Sequence, residues 1–159
     1  MARTFQATSV DGLIGCAAIG GAACENPRLA LKRYATEQML EAPYRLDRHT
    51  AGTVLKAIRE VCITRDWQLV AAHVRSTHVH CVVDNLARPN RAIADFKAYS
   101  SRALNTLEGH RKRWARVGST RRLQTTTAIY AAVRYVADGQ GDAMALWMSS
   151  ESPPSRTGL

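Results

Sequence analysis

Two histidines separated by one apolar residue, His78-Val79-His80, head an apolar run that continues through Cys81-Val82-Val83. Side chains on a strand alternate faces, so positions 78 and 80 project from one side while Val79 and Cys81 enter the core. Two imidazoles on one face are a ready clamp for a metal ion. The plain alternative is a pair of half-exposed strand histidines without a ligand, and spacing alone does not choose between them. A second source of chemistry is the pair Tyr130 and Tyr135, in a segment whose apolar residues recur at helical spacing. A phenol titrates near pH 10 and is a weak nucleophile at pH 7 unless a cation or base assists it. At 100° per residue each tyrosine sits roughly 110° from the centre of the apolar face, one on either flank. Helix geometry leaves both open, and packing at the edge of the core is the commoner fate of such a residue.

Charge points to a partner. The 159 residues carry a formal net charge of +9, with a pI near 10.0. Arg111, Lys112, Arg113, Arg116, Arg121 and Arg122 form a basic run interleaved with Trp114, Gly118, Ser119 and Thr120. A solubilising face is the bland reading of such a run. Arginines mixed with hydroxyls and glycine amides are also what phosphates require, and a nucleic-acid footprint is the preferred reading. The four cysteines, Cys16, Cys24, Cys62 and Cys81, have neither Cys-x-x-Cys nor zinc-finger spacing. A structural zinc protein is therefore disfavoured, and a reduced, cytoplasmic protein fits best. The apolar stretch Leu13 to Cys24 is too short to span a bilayer. It superficially resembles a lipoprotein processing site, but the polar segment before it, with Asp11, makes it a decoy, and no membrane partner is expected. No nucleotide-binding motif is present.

The elements that must position these residues are legible from residue 44 onward. Residues 1–43 are a poorly readable segment in which Phe5 to Val10 offers a short strand and Leu29 to Leu40 a helical piece. Thr53 is a candidate cap for a helix with Val54, Leu55, Ile58, Val61 and Cys62 on one face. Gln68 to Arg75 and His78 to Asp84 are β-rich runs separated by Ser76-Thr77, which predicts an antiparallel hairpin. Pro89 opens a second helix that Gly109 closes. A strand is expected somewhere in Trp114 to Leu123, and a third helix over Thr126 to Asp138, stopped by Gly139. Residues 148–159 read as a disordered tail. The pattern is α+β, a ferredoxin-like (RRM-like) antiparallel sheet with helices packed on one face. Its main domain spans 44–147, and its first strand comes from residues 1–43 or 44–47.

In this order the motifs resemble the HUH endonucleases, specifically the single-tyrosine transposases of insertion-sequence and REP-associated type. The residues that carry the resemblance are Tyr44-Arg45-Leu46-Asp47, Trp67 to Ala72, Val74-Arg75, His78 to Val83, Phe96 to Leu104, Trp114, Gly118-Ser119, Ala128-Ile129, Tyr135-Val136 and Gln140-Gly141. The resemblance implies metal-dependent nicking and rejoining of single-stranded DNA through a 5′-phosphotyrosine, hence DNA transposition. By family position Tyr135 is the nucleophile. His78, His80 and Gln140 are then the ligands of Mg²⁺ or Mn²⁺, with Asp138 an alternative third ligand; His73 on the preceding strand either joins the site or is an exposed strand residue. Lys97, Arg102, Arg111, Lys112, Arg113, Arg116, Ser119, Arg121 and Arg122 are expected on DNA, and Tyr99 lines it or packs. Single-stranded DNA with hairpins is the implied partner, a homodimer is an assembly that many relatives use, and the setting is the bacterial cytoplasm at the nucleoid. Two departures stand out: Gln140 follows Tyr135 by five residues where many relatives have four, and residues 8–30 do not match the expected first strand and loop.

A domesticated, non-catalytic single-strand DNA or RNA binder of RRM-like fold is the competing function. Such modules stack bases on aromatic side chains of the sheet. Aromatics are sparse in this chain, and the corresponding face carries histidines instead.

Overall fold

The computed structural model describes residues 5–11, 44–84, 88–115 and 118–150, the first of these as backbone only. The Leu13 to Cys24 stretch, the helical piece at 29–40, Arg116 and residues 151–159 of the expected 148–159 tail lie outside the described residues, while Met148, at the start of that tail, belongs to a strand. In chain order the elements are β1 (Phe5–Asp11), α1 (Arg48–Thr64), β2 (Gln68–Val74), β3 (His78–Asp84), α2 (Pro89–Glu108), β4 (Ser119–Leu123), α3 (Thr126–Asp138) and β5 (Ala145–Met148).

The strands form one sheet in the order β4-β1-β3-β2-β5, with every neighbouring pair antiparallel. Its first four strands, with α1 and α2 as crossovers, are the ferredoxin-like layer that the sequence predicts. The strand in residues 1–43 is β1, and it lies between β3 and β4 in the middle of the sheet. The sheet thus draws one of its inner strands from before residue 44. β5 is an addition that the sequence pattern did not announce. Four residues are too few to show a period, and it is recruited by pairing with β2 from Ala71 to Val74.

Local chemistry explains where the helices begin. The N-cap of α1 is Asp47, not Thr53. The Asp47 carboxylate accepts from the Thr50 N–H at 2.8 Å, and the Thr50 hydroxyl accepts from the Asp47 N–H at 2.9 Å. This reciprocal capping box satisfies donors that the helix itself leaves open. The Thr53 hydroxyl instead donates to the His49 carbonyl one turn back, inside the helix. In α2, Pro89 occupies the first turn and Gly109 closes the helix at φ +81°, a conformation that favours glycine. The Thr125 hydroxyl caps α3 by accepting from the Ala128 N–H at 3.1 Å.

The sheet is buried on both faces, by different helices. Ala72, Val74, Val79, Cys81 and Val83 meet α1 and α2 in the larger core, where Trp67 packs edge-on against Phe96 with centroids 5.9 Å apart. On the other face Val70, Ala71, Val82 and Leu123 receive Ile129 and Val136 of α3. The expectation of helices on a single face thus holds for α1 and α2, while α3 crosses the opposite face. A register shift between Leu69 and Ala71 lets β2 feed both cores while staying paired with β3. Trp114, taken from sequence as the start of a strand, is instead buried in the larger core, and β4 begins only at Ser119.

Candidate active site

The strand alternation read from His78-Val79-His80 is realised. Val79 and Cys81 are buried, whereas His78 and His80 are half-buried on the face beneath α3. Their rings are stacked, 5° from parallel with centroids 6.2 Å apart. Nδ1 of His78 lies 2.8 Å from the hydroxyl of Thr77, which ties that nitrogen locally and turns Nε2 outward from the bond. A residue next to the histidine in a hairpin connection has no spacing signature, so this orienting group was not legible beforehand.

Tyr135 completes the group from α3. Its ring stands edge-on to His80, 82° between planes and 6.2 Å between centroids. Helix geometry alone left Tyr130 and Tyr135 equivalent, but the docking of α3 separates them. Tyr135 and His80 line one cleft of about 390 Å³ together with Ser119, Thr120 and Arg121 from β4 and three alanines of α3. Tyr130 is exposed and takes no part in that lining. The small side chains Ala128, Ala131 and Ala132 keep the helix wall of the cleft low. Gly139 matters for the same reason: a Cβ there would fall 2.8 Å from the Tyr135 ring and 2.9 Å from its carbonyl oxygen. The tyrosine is seated against a position that has no room for a side chain.

His73 sits on the same face, in register with His80 on the adjacent strand. It is fully buried, and its Nδ1 lies 2.7 Å from the Val136 carbonyl, one residue from Tyr135. A carbonyl only accepts, so Nδ1 carries the proton. Gln140 is buried too, and its amide nitrogen has no partner among the described residues. The chain after α3 runs beside the end of β2, where the Met144 N–H bonds the Val74 carbonyl at 2.9 Å. There the Arg75 N–H in turn bonds the His78 carbonyl at 2.8 Å. Asp138 is exposed and lines a separate groove with Arg134 and Tyr135.

These residues suit a divalent cation in donor type: two imidazoles on one face, one of them tied by a hydroxyl, and the side-chain oxygen of an amide, Gln140. Among the described residues no cluster of three or more His, Cys, Asp or Glu is placed to hold a metal. Amide, phosphate and water oxygens would therefore complete a shell, which is chemistry acceptable to Mn²⁺ and Mg²⁺.

The basic residues divide. Ser119 and Arg121 line the cleft, and Arg122 is exposed beside them on the edge strand. Arg111 and Lys112 are exposed at the far end of α2, with the Arg111 guanidinium 5.1 Å over the Tyr44 ring. Arg102 lies over Tyr99, and Lys97 donates to the Ala115 carbonyl at 2.8 Å; neither lines the cleft. Arg113 departs from the expectation of a DNA contact. It is buried, and its guanidinium donates to Asn105, to Glu108 and to the carbonyls of Leu104 and Gly109. Acceptors around the end of α2 thus consume its donors. Glu108 also accepts a 2.6 Å bond from the Tyr44 hydroxyl, and burial together with that carboxylate pushes the phenol above its ordinary range.

The family described as "Transposase IS200 like" matches residues 42–126, more than half of the sequence. The chain belongs to the IS200-like transposase family. The matched span includes both strands of the hairpin, the two histidines and β4, and it ends before Tyr135 and Gln140. No curated protein matches the sequence. Among solved structures the chain is similar to a REP-associated tyrosine transposase bound to a REP hairpin, at 14% identity and a TM-score of 0.47. The likeness covers 84% of this chain and 63% of that one, so the chain spans less than two thirds of the solved protein's length. Among the described residues no helix is long and apolar enough to cross a membrane.

Proposed function

We propose that this IS200-like transposase nicks and rejoins single-stranded DNA with Tyr135 as nucleophile. The observation that carries the reading is the edge-on placement of Tyr135 against His80 in a cleft that also presents Ser119 and Arg121. The scissile phosphate enters this cleft, and Arg121 offsets its charge. The Tyr135 oxygen attacks phosphorus as the bond to the 3′-oxygen breaks. The phenolic proton is given up, the departing 3′-oxygen takes one, and the 5′-phosphate stays on tyrosine. A second 3′-hydroxyl then attacks the phosphotyrosine, restoring the phenol and joining the strands. The bond energy is retained throughout, so no nucleotide is required.

His78 and His80, with Gln140, would hold Mg²⁺ or Mn²⁺, which when bound supplies Lewis acidity toward the phosphate oxygens. His78 is kept in one orientation by Thr77, and the hydrogen-bonded hairpin fixes both histidines to a rigid strand. The proposed partner is single-stranded DNA with hairpins, bound by Arg121 and Arg122 at the cleft and by Arg111 and Lys112 beyond it. The RRM-like binder is the weaker alternative, since α3 lies across the sheet face where bases would stack.

The test is a denaturing gel of the protein incubated with Mn²⁺ and single-stranded DNA from the ends of its own locus. Wild type and Tyr130→Phe should form a DNA-linked species, and Tyr135→Phe should form none while still binding DNA. An adduct in Tyr135→Phe that is absent from Tyr130→Phe would reassign the nucleophile. No adduct in the wild type under either metal would favour the binder.

A further inference from the structure

The nucleophile proposed above stands on a weakly seated helix. α3 is 13 residues long, and only Ile129 and Val136 are buried along it. A helix of that length is marginal without tertiary support. Tyr135 lies one turn from the end and is 57% exposed, so its placement depends on the last turn staying wound. That turn has few bonds of its own. The Gly139 N–H closes onto the Tyr135 carbonyl at 3.0 Å, and the next carbonyl, of Val136, takes its 2.7 Å hydrogen bond from His73. His73 is wholly buried on β2, an inner strand flanked by β3 and β5. The imidazole therefore joins the stiffest layer of the molecule to the frayable end of the helix.

We infer that His73 is the positioning residue of the tyrosine helix: its Nδ1–H···O=C bond to Val136 pins the last turn of α3 so that Tyr135 stays edge-on to His80. This inference rests on the reading of Tyr135 as nucleophile. His73 touches neither substrate nor reacting atoms in this role. It acts by geometry, and geometry is costly to lose: a displacement of about 1 Å at a reacting group is worth on the order of 10²-fold in rate.

The donor can be kept in a smaller side chain, moved, or removed, the last two near the volume of histidine. In His73→Asn the amide nitrogen lies the same number of bonds from Cα as Nδ1. In His73→Gln it lies one bond further, and in His73→Leu there is no donor. Two readouts are taken on the full chain: the single-turnover rate of adduct formation at saturating single-stranded DNA, beside the DNA Kd, and amide hydrogen exchange across residues 135–141. His73→Leu and His73→Gln should slow the adduct by about 10- to 100-fold with Kd little changed. They should speed exchange in the last turn of α3 by at least about tenfold, with β2 and β3 still protected. His73→Asn should restore both. Should His73→Leu not fold, the contrast between Asn and Gln decides. Unchanged exchange in Leu and Gln, or equal behaviour of all three variants, overturns the anchor. A wild type that forms no adduct but retains the exchange contrast removes the nicking chemistry and sustains the anchor.

Discussion

His78 and His80 differ from ordinary strand histidines in what surrounds them. Each alternates with a fully buried neighbour, so removing the imidazoles leaves the core intact. A His78→Ala/His80→Ala double variant should keep its melting temperature within a few degrees and lose Mn²⁺ affinity by at least about tenfold, measured by calorimetry. Equal Mn²⁺ binding in the two proteins would dismiss the site. The buried thiols behave oppositely. Burial pushes Cys62 up to about 12 and raises Cys81 as well, so neither is a thiolate near neutrality. Peptide-resolved alkylation should find both protected until the protein unfolds. The sign of the linkage follows: the neutral thiols contribute fully below their unfolded value of 9.0. That contribution declines as pH rises from there through the folded values. A Cys62→Ala variant should show a shallower alkaline decline in thermal melts than wild type.

At the scale of the element, single residues shape the ends of α2 and α3. At Gly139, just past the end of α3, Tyr135 already occupies the space a side chain would need. Gly139→Ala should push the tyrosine ring aside and slow adduct formation on the order of tenfold or more, with DNA affinity preserved. A wild-type rate in that variant would show that the ring tolerates displacement. Arg113 bonds acceptors around the end of α2, and this changes what mutating the basic run should do. Arg113→Met should cost about 2–3 kcal/mol of stability in chemical denaturation, since it removes a buried guanidinium that holds several acceptors around the end of α2, the buried Leu104 carbonyl among them. It should leave the salt dependence of DNA binding unaltered. A stable variant with a flattened salt slope would return Arg113 to the DNA surface.

Among the described residues, the basic run reaches solvent at β4 beside the cleft and at the end of α2 near Tyr44. Neutralising Arg121 and Arg122 together should lower the slope of log affinity against log salt by about 0.7 for each phosphate they neutralise, for all sequences alike. An unchanged slope would make that edge an ordinary solvated one. The amino-acid sequence by itself determined the parts with strong local signals: the hairpin, α2 between Pro89 and Gly109, all of α3, and the shared face of His78 and His80. Each of these follows from a period of 2 or 3.6 residues or from a residue with one preferred backbone role. Tertiary structure alone decided what depends on pairing between distant segments. It inserted β1 between β3 and β4 and recruited β5. It laid α3 over the histidine face instead of beside the other helices, which put Tyr135 and not Tyr130 beside His80. It also buried Arg113, whose charge reads like its neighbours' in sequence but whose guanidinium meets helix carbonyls that only the folded chain assembles.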